Sequence, residues 1–165
     1  MKKSILIIFF SFLAGTVILL VPVQSGFLLI MGEEETLYVS STTEEITIGW
    51  SHSVELTSWE ETYLVVEKGN LSLDSTVFKS YGAGTPDTEG IIELLPNGFI
   101  RVTGIERVIP NYSLMYVPIS DYYVKINEEK IMLGDFVPAY ENVEIHYKKL
   151  LLYEWIRLKI WERGR

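Results

Sequence analysis

Short alternations of apolar and polar residues run through most of the chain and predict β-strands. Successive side chains of a strand point to opposite faces, so a half-buried strand shows a period of two. No segment between residues 33 and 147 holds the 3.6-residue period of an amphipathic helix. The predicted strands are Leu37–Ser41, Glu45–His52, Trp59–Glu67, Leu71–Phe78, Ile91–Leu95, Phe99–Thr103, Ser113–Val117, Tyr122–Ile126, Lys130–Leu133 and Val143–Lys148.

Turn-forming residues separate several of these segments. Gly69-Asn70 lies between two β-rich runs at hairpin spacing, Pro96-Asn97-Gly98 separates another pair, and residues 127–130 fit a longer turn. Many short strands joined by regular turns are typical of an all-β domain. We therefore predict a sandwich or small barrel of about 8–10 short strands, preceded by one N-terminal transmembrane or signal helix.

A long apolar run opens the chain. Lys2 and Lys3 precede the 19 residues from Ile5 to Val23, which is close to the roughly 20 residues that a bilayer-spanning helix needs. The run fits either an uncleaved signal anchor or a signal peptide that is cleaved after Ser25. Because positive residues before such a run stay in the cytoplasm, both alternatives put the bulk of the chain on the extracytoplasmic side of the cell membrane.

The pattern divides the chain into four parts. Residues 1–25 are the predicted anchor or signal peptide, 26–36 a linker, 37–147 an exported β domain, and 148–165 a basic, apolar tail. The apolar residues of the tail form no single helical stripe, and Ile156–Ile160 alternates as a strand would. We expect the tail either to lie at a membrane interface, with Trp155 and Trp161 at headgroup level, or to pack on the domain as a last strand or short helix.

Charge and composition exclude several classes of function. The chain has no cysteine, which excludes disulfides, zinc–thiolate sites and thiol nucleophiles. Residues 32–147 carry 6 Lys/Arg against 20 Asp/Glu, whereas residues 148–165 carry 6 against 2. The acidic middle makes nucleic acids poor partners, and the basic ends suit a membrane.

Polar side chains on apolar strand faces mark a candidate site. With a period of two, Ile46, Ile48, Trp50 and His52 share one face, and Trp59, Glu61, Tyr63 and Val65 share one face of the next strand. An antiparallel register that puts Trp50 opposite Tyr63 also puts His52 opposite Glu61, with Cβ atoms about 5 Å apart. We predict that Trp50, Trp59 and Tyr63 are structural.

Three interpretations of the histidine and the carboxylate remain open. They could form a satisfied structural pair, because a buried polar group needs a partner. They could bind a cation or a small polar solute with help from Glu55 or Glu60, although no metal-ligand spacing is present. Ser51 or Ser53 beside His52 could form a hydrolase site, but neighbouring strand residues face opposite sides.

A glycine-rich loop, Tyr81-Gly-Ala-Gly-Thr-Pro-Asp87, follows the hairpin. Gly82, Gly84 and Pro86 are predicted to shape the turn, since glycine adopts positive φ readily. The loop is either a tight connection or the rim of the same pocket, with Thr85 and Asp87 pointing inward. It is not a phosphate-binding loop, because no Gly-Lys-Ser/Thr follows.

These two motifs resemble the bacterial DUF1850 family of unknown function. The resemblance rests on Trp50-Ser-His-Ser-Val-Glu55, on Trp59-Glu60 and on the loop of residues 81–87, and it covers most of residues 37–147. It carries over His52, Glu55, Glu60, Thr85 and Asp87 as candidate residues, whereas Glu61 is added by the strand-pairing argument. Members of the family are often encoded beside TAXI-type TRAP transporters, which import organic solutes.

The resemblance implies an exported, membrane-tethered accessory or interaction protein of such an uptake system. Its expected partners are the membrane and a transporter permease or solute-binding protein. We expect no catalytic residues, no cofactor and no nucleic-acid partner. The alternatives are an independent binding domain for a cation or small polar solute and, third, a hydrolase.

Overall fold

The computed structural model describes residues 2–32, 35–80 and 89–162, which are mostly β-strand. Two α-helices, α1 (Lys2–Leu19) and α2 (Leu152–Glu162), lie at the two ends. Short 3-10 helices occupy Glu67–Gly69, Pro118–Ser120 and Leu133–Asp135. The strands are β1 (Pro22–Met31), β2 (Glu35–Ser40), β3 (Glu45–Ser51), β4 (Ser58–Val65), β5 (Leu71–Phe78), β6 (Ile91–Leu94), β7 (Ile100–Ile109), β8 (Tyr112–Met115), β9 (Tyr123–Ile126), β10 (Glu129–Met132) and β11 (Asn142–Leu151).

The strands form two antiparallel sheets. The larger sheet has seven strands in the order β10-β9-β3-β4-β5-β7-β6, and the smaller has four in the order β2-β1-β11-β8. Each of the ten predicted strands overlaps an observed one. The prediction of a mostly-β domain is confirmed, and its barrel alternative is wrong, because neither sheet formed by the described strands closes.

The main core contains side chains from both sheets. Phe27 and Ile145 from the smaller sheet are fully buried, as are Ile46, Ile48 and Leu71 from the larger one, and all five belong to one cluster. Period-two alternation explains this arrangement, since alternate residues of each strand point to the same side. Burial of a side chain of this size stabilises the fold by about 1.5–3 kcal/mol.

Strand β1 contradicts the predicted linker at residues 26–36. It occupies Pro22–Met31 and pairs on both sides, with Gly26 opposite Ser40 of β2 and Lys148 of β11. Its buried half, Phe27–Met31, is continuously apolar, as is typical of a strand that is covered on both faces. Such a strand shows no alternation, which explains why the sequence pattern did not reveal it.

The N-terminal apolar run is divided between a helix and this strand. Helix α1 ends at Leu19 and β1 begins at Pro22, so residues 5–23 do not form the single helix that the sequence predicts. Proline cannot donate the backbone hydrogen bond that a continuing helix requires. All described side chains of α1 are exposed. In the described part of the chain, no helix combines the length and apolar character needed to cross a bilayer.

The C-terminal segment continues the smaller sheet and then turns into a helix. Strand β11 extends to Leu151, and residues 156–160, which the sequence predicts as strand-like, lie within α2. Glu154 in the first turn of α2 accepts a hydrogen bond of 3.0 Å from the backbone N–H of Leu151. A side chain that satisfies a free N–H at a helix start stabilises the helix, and single-residue alternation does not register this effect.

Candidate functional site

The hairpin of β3 and β4 has a different register from the predicted one. Trp50 lies opposite Trp59, Ile48 opposite Glu61, and Ile46 opposite Tyr63. The predicted pairing of His52 with Glu61 is therefore wrong. The predicted faces are retained, because the register differs by four residues and an even shift preserves the side to which each residue points.

The connection between the two strands fixes this register. Residues 52–57, which we name the hairpin loop, close with two backbone hydrogen bonds of 2.8 Å, from His52 N–H to Thr57 and from Leu56 N–H to His52. Loop length and turn geometry determine strand pairing in a hairpin. His52 consequently belongs to the loop and not to the strand.

His52 is anchored on an aromatic stack. Its ring lies 6.0 Å from that of Trp59 at an interplanar angle of 19°, and its Nδ1 accepts long hydrogen bonds of 3.4 Å from the N–H groups of Val54 and Glu55. Trp59 also stacks on Trp50 at 5.5 Å and on Phe78 at 5.0 Å. The base of the hairpin loop therefore rests on a packed aromatic cluster.

Glu55 ties the hairpin loop to the end of β5. Both of its carboxylate oxygens lie 2.5 Å from the Ser80 hydroxyl, whose one proton is shared between them. Ser80 directly precedes the predicted glycine-rich loop. Gly82, Gly84, Thr85, Pro86 and Asp87 lie outside the described residues.

The tip of the hairpin loop is apolar and exposed. The side chains of Val54 and Leu56 are 69% and 70% exposed. Leu56 has φ of 53°, in the left-handed region that leucine avoids. The sequence prediction did not single out either residue, because its arguments concerned polar groups.

Glu60 points away from the core, toward a polar cluster on the outer face of the larger sheet. Its Oε1 accepts hydrogen bonds from the Tyr123 hydroxyl and, at 2.6 Å, from Lys125 Nζ. Gly49 lies between Glu60 and Tyr123 in the strand register, and the Tyr123 ring occupies the space that a Cβ at Gly49 would take. Lys130 Nζ lies 3.8 Å from the centre of the same ring.

This environment changes the acidity of Glu60. Burial alone would raise the pKa of its carboxyl, but the hydrogen bonds from Lys125 and Tyr123 and the charges of Lys125 and Lys130 hold the pKa below its ordinary value. The cluster is internally satisfied by residues from β4, β9 and β10. Lys125, Lys130 and Tyr123 are far from Glu60 in sequence, so only the sheet order reveals them.

Glu61 lies on the opposite face, in a cluster of tyrosines. The Tyr63 hydroxyl donates a hydrogen bond of 2.8 Å to Glu61 Oε2, and Arg107 also hydrogen-bonds Tyr63. Tyr112 contacts Tyr63 edge-to-face at 5.5 Å. Burial, reinforced by the charge of Glu61, raises the pKa of Tyr63, Tyr112 and Tyr122 above its ordinary value.

The four predicted binding residues that lie in the described part of the chain do not converge on one point. His52 and Glu55 lie in the hairpin loop, Glu60 faces outward, and Glu61 faces the core. Among the described residues, no group of three or more His, Cys, Asp or Glu side chains is placed to hold a metal ion. This region instead exposes the apolar tip of the hairpin loop, whose base is fixed by contacts with neighbouring residues.

The protein is therefore a two-sheet β protein, and its described candidate binding residues lie in the β3–β4 hairpin of the larger sheet. Residues 46–133 match the family described as Domain of unknown function (DUF1850), and the chain belongs to that family. The match includes all seven strands of the larger sheet, apart from the first residue of β3, and also β8. Both α-helices and strands β1, β2 and β11 lie outside it. No curated protein and no solved structure matches the chain.

Proposed function

We propose that the chain is a membrane-attached interaction protein on the extracytoplasmic side of the cell membrane that supports a TRAP-type (TAXI) solute uptake system. In this proposal the hairpin loop contacts a transporter permease or solute-binding protein, and α1 attaches the chain to the membrane. The observation that carries the proposal is Leu56, an exposed leucine in a left-handed backbone conformation.

Leu56 is unfavourable for the fold taken alone. A left-handed backbone costs a residue with a side chain about 1–2 kcal/mol, and glycine or asparagine would avoid most of that penalty. Because the Leu56 side chain is exposed, its packing against the rest of the chain offsets little of this backbone penalty. Residues in sparsely populated backbone conformations cluster at functional sites, so a partner that covers Leu56 accounts for its presence.

The fixed base of the hairpin loop favours binding. The stack of His52 on Trp59 and the hydrogen bonds between Ser80 and Glu55 restrain the loop before a partner arrives. A restrained loop loses less conformational entropy on binding than a mobile one. The side chains of Val54 and Leu56 are therefore already positioned to form a small apolar contact with a partner.

Attachment and location are supported by the N-terminal region. The described side chains of α1 are mostly apolar, and all of them are exposed. A membrane that contacts α1 would bury this apolar surface. Two lysines before an apolar run are typical of exported chains. The resemblance to a family often encoded beside TAXI-type TRAP transporters supports a transporter subunit as the partner.

Substitution of Leu56 tests the proposal. Full-length Leu56→Gly protein is expected to co-purify at least tenfold less TRAP-type subunit from native membranes at low salt, as identified by mass spectrometry, while remaining folded. Ile119→Gly is the matched control, since it removes a similarly exposed side chain (62%) outside the loop. Equal recovery with both variants, or no transporter subunit with the unchanged chain, would contradict the proposal.

A further inference from the structure

A groove lies between α2 and the outer face of the smaller sheet. Its volume is about 670 Å³, within the range of about 300–1,000 Å³ that is typical of small-molecule sites. The sheet side presents Leu28, Tyr38 and Leu150, and the helix side presents Tyr153, Arg157 and Leu158. The groove belongs to none of the sites described above.

The groove combines apolar lining residues with a positive rim. Leu150 is buried and Leu28 and Leu158 are half-buried, so both the sheet and the helix contribute aliphatic side chains to the lining. At the rim, Lys148 Nζ pairs with Glu154 Oε1 at 2.8 Å, which neutralises that lysine. Arg157 is exposed and makes no ion pair with another described residue, so its guanidinium supplies the net charge of the rim.

The wall formed by the sheet also contains a buried donor. The Tyr38 hydroxyl is buried and has no hydrogen-bond partner among the described residues. It lies over Gly26, where the absence of a side chain leaves room for the ring. Burial raises the pKa of Tyr38 to about 12. A buried hydroxyl of this kind can donate a hydrogen bond to a water or to a bound molecule.

The groove lies next to the proposed membrane attachment. The N–H of Leu152, the first residue of α2, donates a hydrogen bond of 2.9 Å to the carbonyl of Val21, which lies between α1 and β1. Helix α2 therefore begins beside the end of α1. A membrane that covers the exposed apolar surface of α1 would also come close to α2 and to its basic residues.

We propose that this groove binds an anionic phospholipid, with the phosphate at Arg157 and the upper acyl chain along Leu150 and Leu158. A guanidinium binds phosphate oxygens through two parallel hydrogen bonds, which suits it to this role. The inference rests on the proposed attachment of α1, because it takes the lipid from the membrane that α1 contacts. It gives α2 a role in orienting the sheets on the membrane surface.

Soluble short-chain lipids test this site without relying on α1. Full-length protein in non-ionic detergent is titrated calorimetrically with dihexanoyl phosphatidylglycerol, dihexanoyl phosphatidylcholine or inorganic phosphate. We expect phosphatidylglycerol to bind at least tenfold more tightly than the other two. Arg157→Glu is expected to weaken that binding at least tenfold, and Arg157→Lys to retain most of it.

Arg101→Glu is the matched control, because it makes the same charge reversal in the larger sheet. The inference would be overturned if phosphatidylcholine or inorganic phosphate bound as tightly as phosphatidylglycerol, or if Arg157→Glu and Arg101→Glu bound phosphatidylglycerol equally well. Flotation of the full chain with phosphatidylcholine vesicles tests membrane attachment separately. A failure of flotation refutes the attachment and leaves the lipid titration as an independent result.

Discussion

Gly49 shows how one residue organises a polar cluster across three strands. It stands between Glu60 on β4 and Tyr123 on β9. Because Gly49 has no side chain, the Tyr123 ring crosses β3 and its hydroxyl reaches the Glu60 carboxylate. Glycine within a strand usually weakens it, and here a close-packed aromatic ring offsets that loss.

Replacing Gly49 by alanine is expected to destabilise the fold. The new Cβ would overlap the Tyr123 ring, and overpacking of this kind costs about 1–3 kcal/mol. Urea denaturation of Gly49→Ala measures the loss. Gly15→Ala in α1 is the control, since a Cβ there meets nothing within 4 Å. Equal midpoints for Gly49→Ala and the unchanged chain would show that Tyr123 does not depend on Gly49.

Glu60 gives the chain a specific dependence on acid. Its pKa is lower in the folded state than its ordinary value of 4.5. The stabilisation is therefore fully present above that value and is lost as the pH falls through the folded pKa. Since the pair with Lys125 is partly exposed, we expect its contribution to be about 1 kcal/mol or less.

Glu60→Gln should flatten the acid side of the stability profile. Urea unfolding between pH 7 and pH 2 measures this, with the exposed Glu67→Gln as control. The unchanged chain and the control are expected to lose more stability below pH 4.5 than Glu60→Gln does. Parallel profiles for all three proteins would contradict the assignment of Glu60.

The sequence could predict side-chain faces but not the partners on them. The alternation placed Trp50, Trp59 and Tyr63 on the correct sides, because the period of a strand is a local property. The register depends on the hydrogen bonds of His52 with Thr57 and Leu56, which no alternation encodes. The neighbours of Glu60 and Glu61 come from strands distant in sequence, and for the same reason they could not be predicted.

At the scale of whole elements, β1 is the strand that holds the smaller sheet together. It lies between β2 and β11 and contributes Phe27 and Leu29 to the core. Its first residues also pair with β11, with Gln24 opposite Leu150 and Ser25 opposite Lys149. Cleavage after Ser25, one of the two predicted fates of the N-terminal segment, would remove these pairings.

A chain that begins at Gly26 is expected to be less stable than one that begins at Leu20. Pro22–Ser25 lose their ladder with β11 in the shorter chain only, and a net hydrogen bond contributes about 0.5–1.5 kcal/mol. Thermal unfolding of the two proteins measures the difference. Identical midpoints would show that these residues are dispensable to the sheet.

Elements were predictable where their pattern was local and half-buried. Strands β2 to β11 alternate or carry turn residues at their ends, whereas β1 is apolar throughout its buried half. The start of α2 depends on the contact between Glu154 and the N–H of Leu151, a capping interaction that the alternation in residues 156–160 obscured. The linker prediction failed because burial on both faces removes the alternation of β1. For the tail, the short-helix alternative is the one observed, and the pattern alone could not choose it over a strand.

At the scale of the molecule, the two sheets carry different features. The larger sheet lies almost entirely within the family match, which also includes β8 of the smaller sheet, and it bears the hairpin loop. The smaller sheet is joined to both helices, since α1 leads into β1 and β11 leads into α2. This division fits a protein in which one sheet meets a partner and the other is attached to a membrane.

The charge distribution predicts how the proposed partner contact responds to salt. Residues 32–147 carry 20 acidic against 6 basic residues, and a field of this sign accelerates encounter with a basic surface. We expect the association rate with the transporter subunit to fall several-fold between 50 mM and 500 mM salt, as measured by surface plasmon resonance. An association rate independent of salt would exclude electrostatic steering.

The most direct test of the central claim is a photo-crosslink from position 56 in native membranes. A benzophenone amino acid replaces Leu56 in the full-length chain, and a second protein carries it at Ile119, which is also exposed. We predict that position 56 crosslinks to a TRAP-type permease or solute-binding protein and that position 119 does not. Crosslinking of both positions to the same set of proteins, or of position 56 to no transporter subunit, would contradict the account.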